Sequence, residues 1–200
     1  MPTLDTPGAP PRPYGRLTPR QYLVRERAAE QRSEFFDGEI VAMAGASPRH
    51  AAIAQNIGSH LYFRLPGGCR VYQSDVKVQV GTGGEYAYPD VFVLCGEPRY
   101  LDRTHDVVTN PAVVFEVLSP GTEVRDRTVK AAAYRQVPSL AAYVLVSQKE
   151  PRVEMYARGP EGAWDCTIYQ RLGDLVRLDA IGCDLSLAEI YRNVNPAPEA

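Results

Sequence analysis

A glutamate inside an apolar run constrains this chain more than any other feature. Glu116 sits within Val113-Val114-Phe115-Glu116-Val117-Leu118, and Asp90 follows Pro89 to open Val91-Phe92-Val93-Leu94. Such runs suit strands covered on both faces. A carboxylate buried there is costly unless it is paired or binds a cation. The two acidic residues must therefore lie where a cation, from the protein or from solution, can reach them. With 200 residues and a 44% apolar share, the chain can build one well-packed domain around these strands.

The remaining elements follow from local signals. Thr18-Pro19-Arg20-Gln21 reads as a capping box with proline at the first helical position, and predicts a helix to about Gln31. Glu34-Phe35-Phe36, Asp37-Gly38 and Glu39 to Met43 predict a hairpin, since Asp-Gly tolerates the positive φ of a tight turn. Ser47-Pro48 opens a second helix carrying Ile53, Ile57 and Leu61, which stops near Pro66-Gly67-Gly68. Strands are predicted over Arg70 to Ser74, Val76 to Val80, Tyr88 to Leu94, Ala112 to Leu118 and Ala142 to Ser147. Antiparallel additions follow at Val153 to Ala157 and Cys166 to Tyr169. A third helix is expected over roughly Arg125 to Gln136, and Ser186 caps a short closing helix through Tyr191. The fold class is α/β: a mixed sheet flanked by helices, with antiparallel hairpin additions. Residues 1–15, rich in proline and glycine, are expected to be a disordered arm, and 16–195 a single domain. The connection from Gly96 to Pro111 is long for a compact fold and suggests a loop near a working edge.

Several classes of function drop out. No apolar run approaches the ~18 residues of a membrane span, and the proline-rich start lacks the apolar core of a secretory signal. Cys69, Cys95, Cys166 and Cys183 are scattered, which argues against structural zinc and is expected of reduced cytoplasmic thiols. A formal net charge of −2 gives no basic signature for nucleic acid, so a DNA partner would need a local basic surface. Gly81-Thr82-Gly83-Gly84 reads as a hairpin loop rather than a phosphate cradle.

What is left is acid–base and metal chemistry. Two carboxylates on neighbouring strands can share a hard cation such as Mg²⁺, which prefers oxygen ligands and keeps several waters. Asp126 and Lys130 lie four residues apart on the third helix, on one face, so Lys130 can reach back over the strand end that holds Glu116. The plainer alternative is an exposed Asp126–Lys130 helix pair, which is the favoured reading for Asp126 itself. His50, in the first turn of a helix, suits a phosphate donor or an acid–base group, or simply a helix-end hydrogen bond. Arg99, Arg103, Arg125, Arg127 and Arg135 flank the region and suit either phosphates or a solvated face.

Tyr88-Pro89-Asp90, Phe115-Glu116-Val117-Leu118-Ser119-Pro120, Asp126-x-x-x-Lys130 and Tyr134 resemble the Uma-type restriction endonuclease family of the PD-(D/E)xK nuclease superfamily. The hairpin Glu34 to Glu39 and Ser47-Pro48-Arg49-His50 resemble its N-terminal half, so the likeness covers about Thr18 to Val146. The resemblance implies a restriction-endonuclease-like fold, a divalent metal (Mg or Mn), a DNA substrate and often a homodimer. It implies Asp90 and Glu116 as metal ligands and Lys130 as the active-site lysine, with Glu34 and His50 as further site candidates. Glu116-Val117-Leu118 departs from the superfamily pattern, having leucine where lysine is usual; the resemblance moves that role to Lys130. Three functions compete: metal-dependent cleavage of DNA; a nuclease fold that no longer cuts and binds nucleic acid or a protein partner; and hydrolysis of some other phosphate-containing substrate, which would leave the same acidic residues but no basic groove.

Overall fold

A computed structural model describes residues 16–43 and 45–194. The arm expected over 1–15 lies outside the described residues. Helix α1 (Pro19–Ala28) is capped as expected: Thr18 Oγ1 accepts from Gln21 N while the Gln21 side chain returns to Thr18 N. It ends at Ala28, one turn before the expected Gln31. Strands β1 (Ser33–Phe36) and β2 (Glu39–Ala42) form the Asp-Gly hairpin, with Asp37 at φ 48° and Gly38 at φ 80°. These positive angles are why the turn needs these two residues. Helix α2 (Pro48–Arg64) begins at Ser47, whose Oγ accepts from His50 N, and buries Ile53, Ile57 and Leu61.

The strand expected from Tyr88 to Leu94 begins only at Val91. After β3 (Cys69–Gln73) and β4 (Lys77–Val80), strand β5 (Glu85–Ala87) ends before Tyr88-Pro89-Asp90, and β6 (Val91–Cys95) starts after it. Proline has no N–H to give a ladder, so it is confined to the edges and ends of strands. Here the chain leaves one sheet and enters another. Strands β2-β1-β5-β4 and β7 (Val107–Val108) make a five-stranded sheet. A six-stranded sheet runs β11 (Trp164–Tyr169), β10 (Val153–Arg158), β9 (Ala142–Ser147), β8 (Val113–Leu118), β6, β3. Both are mixed: β8 runs parallel to β9 and β4 parallel to β7, while the other pairs are antiparallel. Strands β12 (Leu175–Leu178) and β13 (Cys183–Ser186) form a separate hairpin.

The mixed sheet flanked by helices is therefore present, with every residue of β8 and β9 buried. Side chains alternate across the six-stranded sheet. One set (Val91, Val93, Val113, Phe115, Val144 and Val146) packs on α2, the β12–β13 hairpin and helix α5 (Leu187–Ile190). The other (Phe92, Leu94, Val114, Tyr143 and Leu145) packs on Phe36, β4 and helix α4 (Ala131–Arg135). Each fully buried Phe or Leu in these layers contributes about 2 kcal/mol of transfer free energy. Helix α3 (Glu123–Arg125) and α4 are joined by a π-helical turn, Asp126–Lys130, within the segment predicted as one regular helix. Among the described residues, no helix is long and apolar enough to cross a membrane.

Two expectations are corrected. Cys69 and Cys95, opposite each other on β3 and β6, form a disulfide, so these two thiols are not free as the scattered spacing suggested. The spacing hid the pairing because strand register, not sequence distance, brings the sulfurs together. The Gly96–Pro111 connection carries β7, and its acidic residues bind Arg27 and Lys77 rather than joining the carboxylates discussed below.

Candidate active site

The break at Pro89 positions the site. The ladder between β6 and β8 ends at Val91 opposite Phe115, so one further step sets Asp90 across from Glu116. Past the ladder's end, the Asp90 carboxylate takes over the backbone's role: Oδ2 accepts from Val117 N at 2.7 Å. The same oxygen lies 3.1 Å from His50 Nε2, presented by the first turn of α2. Burial works against a charged His50 ring, yet the bond to Asp90 and the charges of Asp90 and Asp126 raise its pKa above the ordinary value. Nδ1 of the same ring is buried without a hydrogen-bond partner, as is Nε of Arg125. Buried orphans of this kind are rare in folded proteins.

Glu116 points into the layer below the π-helical turn, where Lys130 meets it. The ammonium Nζ is 2.7 Å from Glu116 Oε1, 3.0 Å from Glu34 Oε1 and 3.3 Å from Asp126 Oδ1. Both Lys130 and Glu116 are buried, as are Glu34 and Asp126. Glu34 comes from the five-stranded sheet and Glu116 from the six-stranded one, and Glu34 Oε1 also accepts from Tyr88 N at 3.2 Å, tying the two sheets together beside Asp90. The Tyr134 hydroxyl, one turn after Lys130, donates to Glu116 Oε1 at 3.2 Å.

The electrostatics are lopsided. Burial pushes the Glu116 carboxyl well up; Lys130 opposes this, while Asp126, Asp90 and Glu34 add to it. Burial would strip the proton from Lys130, but Glu116 and Glu34 outweigh it and hold the ammonium charged. Asp126 is likewise raised by burial against the pull of Lys130. Four carboxylates (Glu34, Asp90, Glu116, Asp126) thus share one ammonium and one imidazole.

The structure brings together Asp90, Glu116, Lys130, Glu34 and His50, the five residues singled out from sequence. It places Asp126 differently from the expected solvated helix pair: its carboxylate is buried inside the cluster. Only the Asp126-x-x-x-Lys130 spacing hinted at this. Tyr134, which the sequence offered only as part of the family-like pattern, bonds Glu116. Of the flanking arginines, Arg127 binds Glu154 and Glu123, Arg135 lies over Tyr156 and Arg125 over Phe36. Glu39 is exposed on β2.

Among the described residues, no three His, Cys, Asp or Glu side chains are arranged to hold a metal ion together. Magnesium usually needs one or two protein carboxylates and takes its other ligands from water and substrate. The donor set at Asp90 and Glu116 is all oxygen, as a hard cation prefers, and the surrounding charge is negative. The residues present fit such an ion.

A family model matches residues 19–189, most of the chain; it is Uma2, described as "Putative restriction endonuclease". The chain belongs to the Uma2 family. Similar proteins include two from Synechocystis sp., both described as uncharacterized. One, slr1290, is 36% identical over 187 residues, covering 93% of this chain and 97% of the relative. The other, sll1609, is 37% identical over 151 residues, covering 74% and 84%. Among solved structures, the chain is similar to one described as a "putative nuclease belonging to DUF820" from Anabaena variabilis. The TM-score is 0.65 at 17% identity, over 88% of this chain and 97% of that one. At that identity the likeness is one of fold. Membership in the Uma2 family and a nuclease-like fold together make this cluster the place to look for chemistry.

Proposed function

We propose that this Uma2 protein is a divalent-metal-dependent endonuclease that hydrolyses phosphodiester bonds in DNA. One observation carries the reading: Lys130 Nζ stands 2.7 Å from Glu116 Oε1, in a buried cluster whose carboxylates outnumber its cations. Asp90 and Glu116 would hold Mg²⁺ or Mn²⁺ through their carboxylate oxygens. Once bound, the metal supplies Lewis-acid stabilisation of phosphodiester charge and makes a water acidic enough to attack at neutral pH.

The protein's own groups do the rest. Lys130 orients the attacking water with its ammonium protons and offsets charge building on the phosphate. Glu34, held by Tyr88 N, fixes the ammonium from the opposite sheet. His50 and the Val117 amide fix the Asp90 carboxylate through Oδ2. A DNA partner, a homodimer and a cytoplasmic location belong to the same reading.

The test is cleavage of supercoiled and linear DNA by purified protein with Mg²⁺, with Mn²⁺ and with chelator. Metal-dependent cuts that vanish in Glu116→Ala support the reading; no cleavage and no metal binding across varied substrates end it. A second reading, a nuclease fold that binds nucleic acid or a protein partner without cutting, draws on the protein cations already engaging Glu116 and Asp90. It predicts DNA retention without turnover, and no change in cells from Lys130→Ala.

A further inference from the structure

Lysine is scarce here: Lys77, Lys130 and Lys149 are the only three in the chain. An ammonium has three protons to donate, and Lys130 Nζ has three carboxylates within 3.3 Å: Glu116, Glu34 and Asp126. The shortest contact is to Glu116 Oε1, an oxygen that also receives the Tyr134 hydroxyl. A divalent cation approaching that oxygen meets a fixed positive charge 2.7 Å from it, in a site where little water screens the repulsion. Glu34 and Asp126 give the ammonium other partners, from β1 and from its own π-helical turn, so it can leave Glu116 without being stranded.

We propose that Lys130 is an internal counter-ion that competes with the divalent cation for Glu116, and slackens its bond to that carboxylate when metal binds. This rests on the metal reading given above and adds a consequence of opposite sign to intuition: the lysine weakens metal binding while serving the reaction. The same lysine keeps the cluster compensated before metal arrives, because three buried carboxylates with no cation would be expensive.

Calorimetric titration with Mn²⁺ in the absence of DNA decides the matter without reference to activity. Lys130→Gln is expected to bind Mn²⁺ roughly tenfold more tightly than the unsubstituted protein, or more. Equal or weaker binding by a folded Lys130→Gln overturns the proposal. If that variant does not fold, the unsubstituted protein answers through the lysine side-chain resonances, easily assigned with three lysines. Mg²⁺ is expected to shift the Lys130 ε-methylene signal and leave those of Lys77 and Lys149 in place. Heat of metal binding with no Lys130 shift overturns the competition alone, whereas no heat with either protein overturns the metal reading beneath it.

Discussion

Two buried glutamates of the six-stranded sheet, on the strands either side of β9, have opposite surroundings. Glu154, on β10, is held by Arg127 through both carboxylate oxygens at 2.6 and 3.0 Å and by Arg152 at 2.9 Å, and Arg127 also reaches Glu123. Burial raises its pKa, but the two guanidinium partners prevail and hold it below the ordinary value. Glu116, on β8, shares a single ammonium with Glu34 and Asp126, and its pKa is driven well up. The first network has cations enough and serves structure. The second is short of positive charge, a cost a folded protein carries where function requires it. What separates a structural pair from a candidate active site is thus the balance of charge around the buried acid, not burial itself.

The comparison breaks most readily at Glu116. Glu116→Gln is expected to reduce metal-dependent DNA cleavage by roughly a thousandfold or more. Its stability to urea should stay within about 1 kcal/mol of the parent, because the lost charge was poorly compensated. A large loss of stability would place Glu116 with the structural glutamates. Glu154→Gln should show the reverse: cleavage unchanged, and stability lower by about 2 kcal/mol at pH 7. Since the folded Glu154 pKa is depressed, its contribution is present above the unfolded value near ~4.3. It is lost as pH falls through the folded pKa, so urea curves of variant and parent should converge as the solution is acidified below it. Tyr134→Phe removes one hydroxyl from Glu116 and should cost about 1 kcal/mol in the same urea assay. Smallest of all, Arg16→Ala breaks a pair whose side chains are 72% and 80% exposed, and the change should stay below about 0.5 kcal/mol.

Much of this was legible in the chain itself. Glu116 announces itself because five of the six residues from Val113 to Leu118 are apolar, and a buried strand leaves such a carboxylate little choice but to find a cation. Thr18, Asp37-Gly38 and Ser47 set their elements through local hydrogen bonds and φ values, which sequence encodes directly. The division at Pro89 is written there too, but reading it as a passage between two sheets needs the partners of β5 and β6, which lie far along the chain. The burial of Asp126 and the π-helical turn carrying it depend on what Glu34 and Glu116 offer from two different sheets. The Cys69–Cys95 bond follows from strand register in the same way. The β12–β13 hairpin also escaped notice, its alternation short and interrupted by the turn at Asp179–Ile181.

The most direct test of an acid cluster short of positive charge is thermal unfolding with and without Mn²⁺, after exhaustive treatment with chelator. A cation that fills the deficit binds the folded protein and raises its melting temperature, by an amount that grows with the logarithm of its concentration over Kd. The account predicts a metal-dependent rise in the parent and in Glu154→Gln, and its disappearance in Glu116→Gln. Equal rises in all three proteins, or none in the parent, would contradict it.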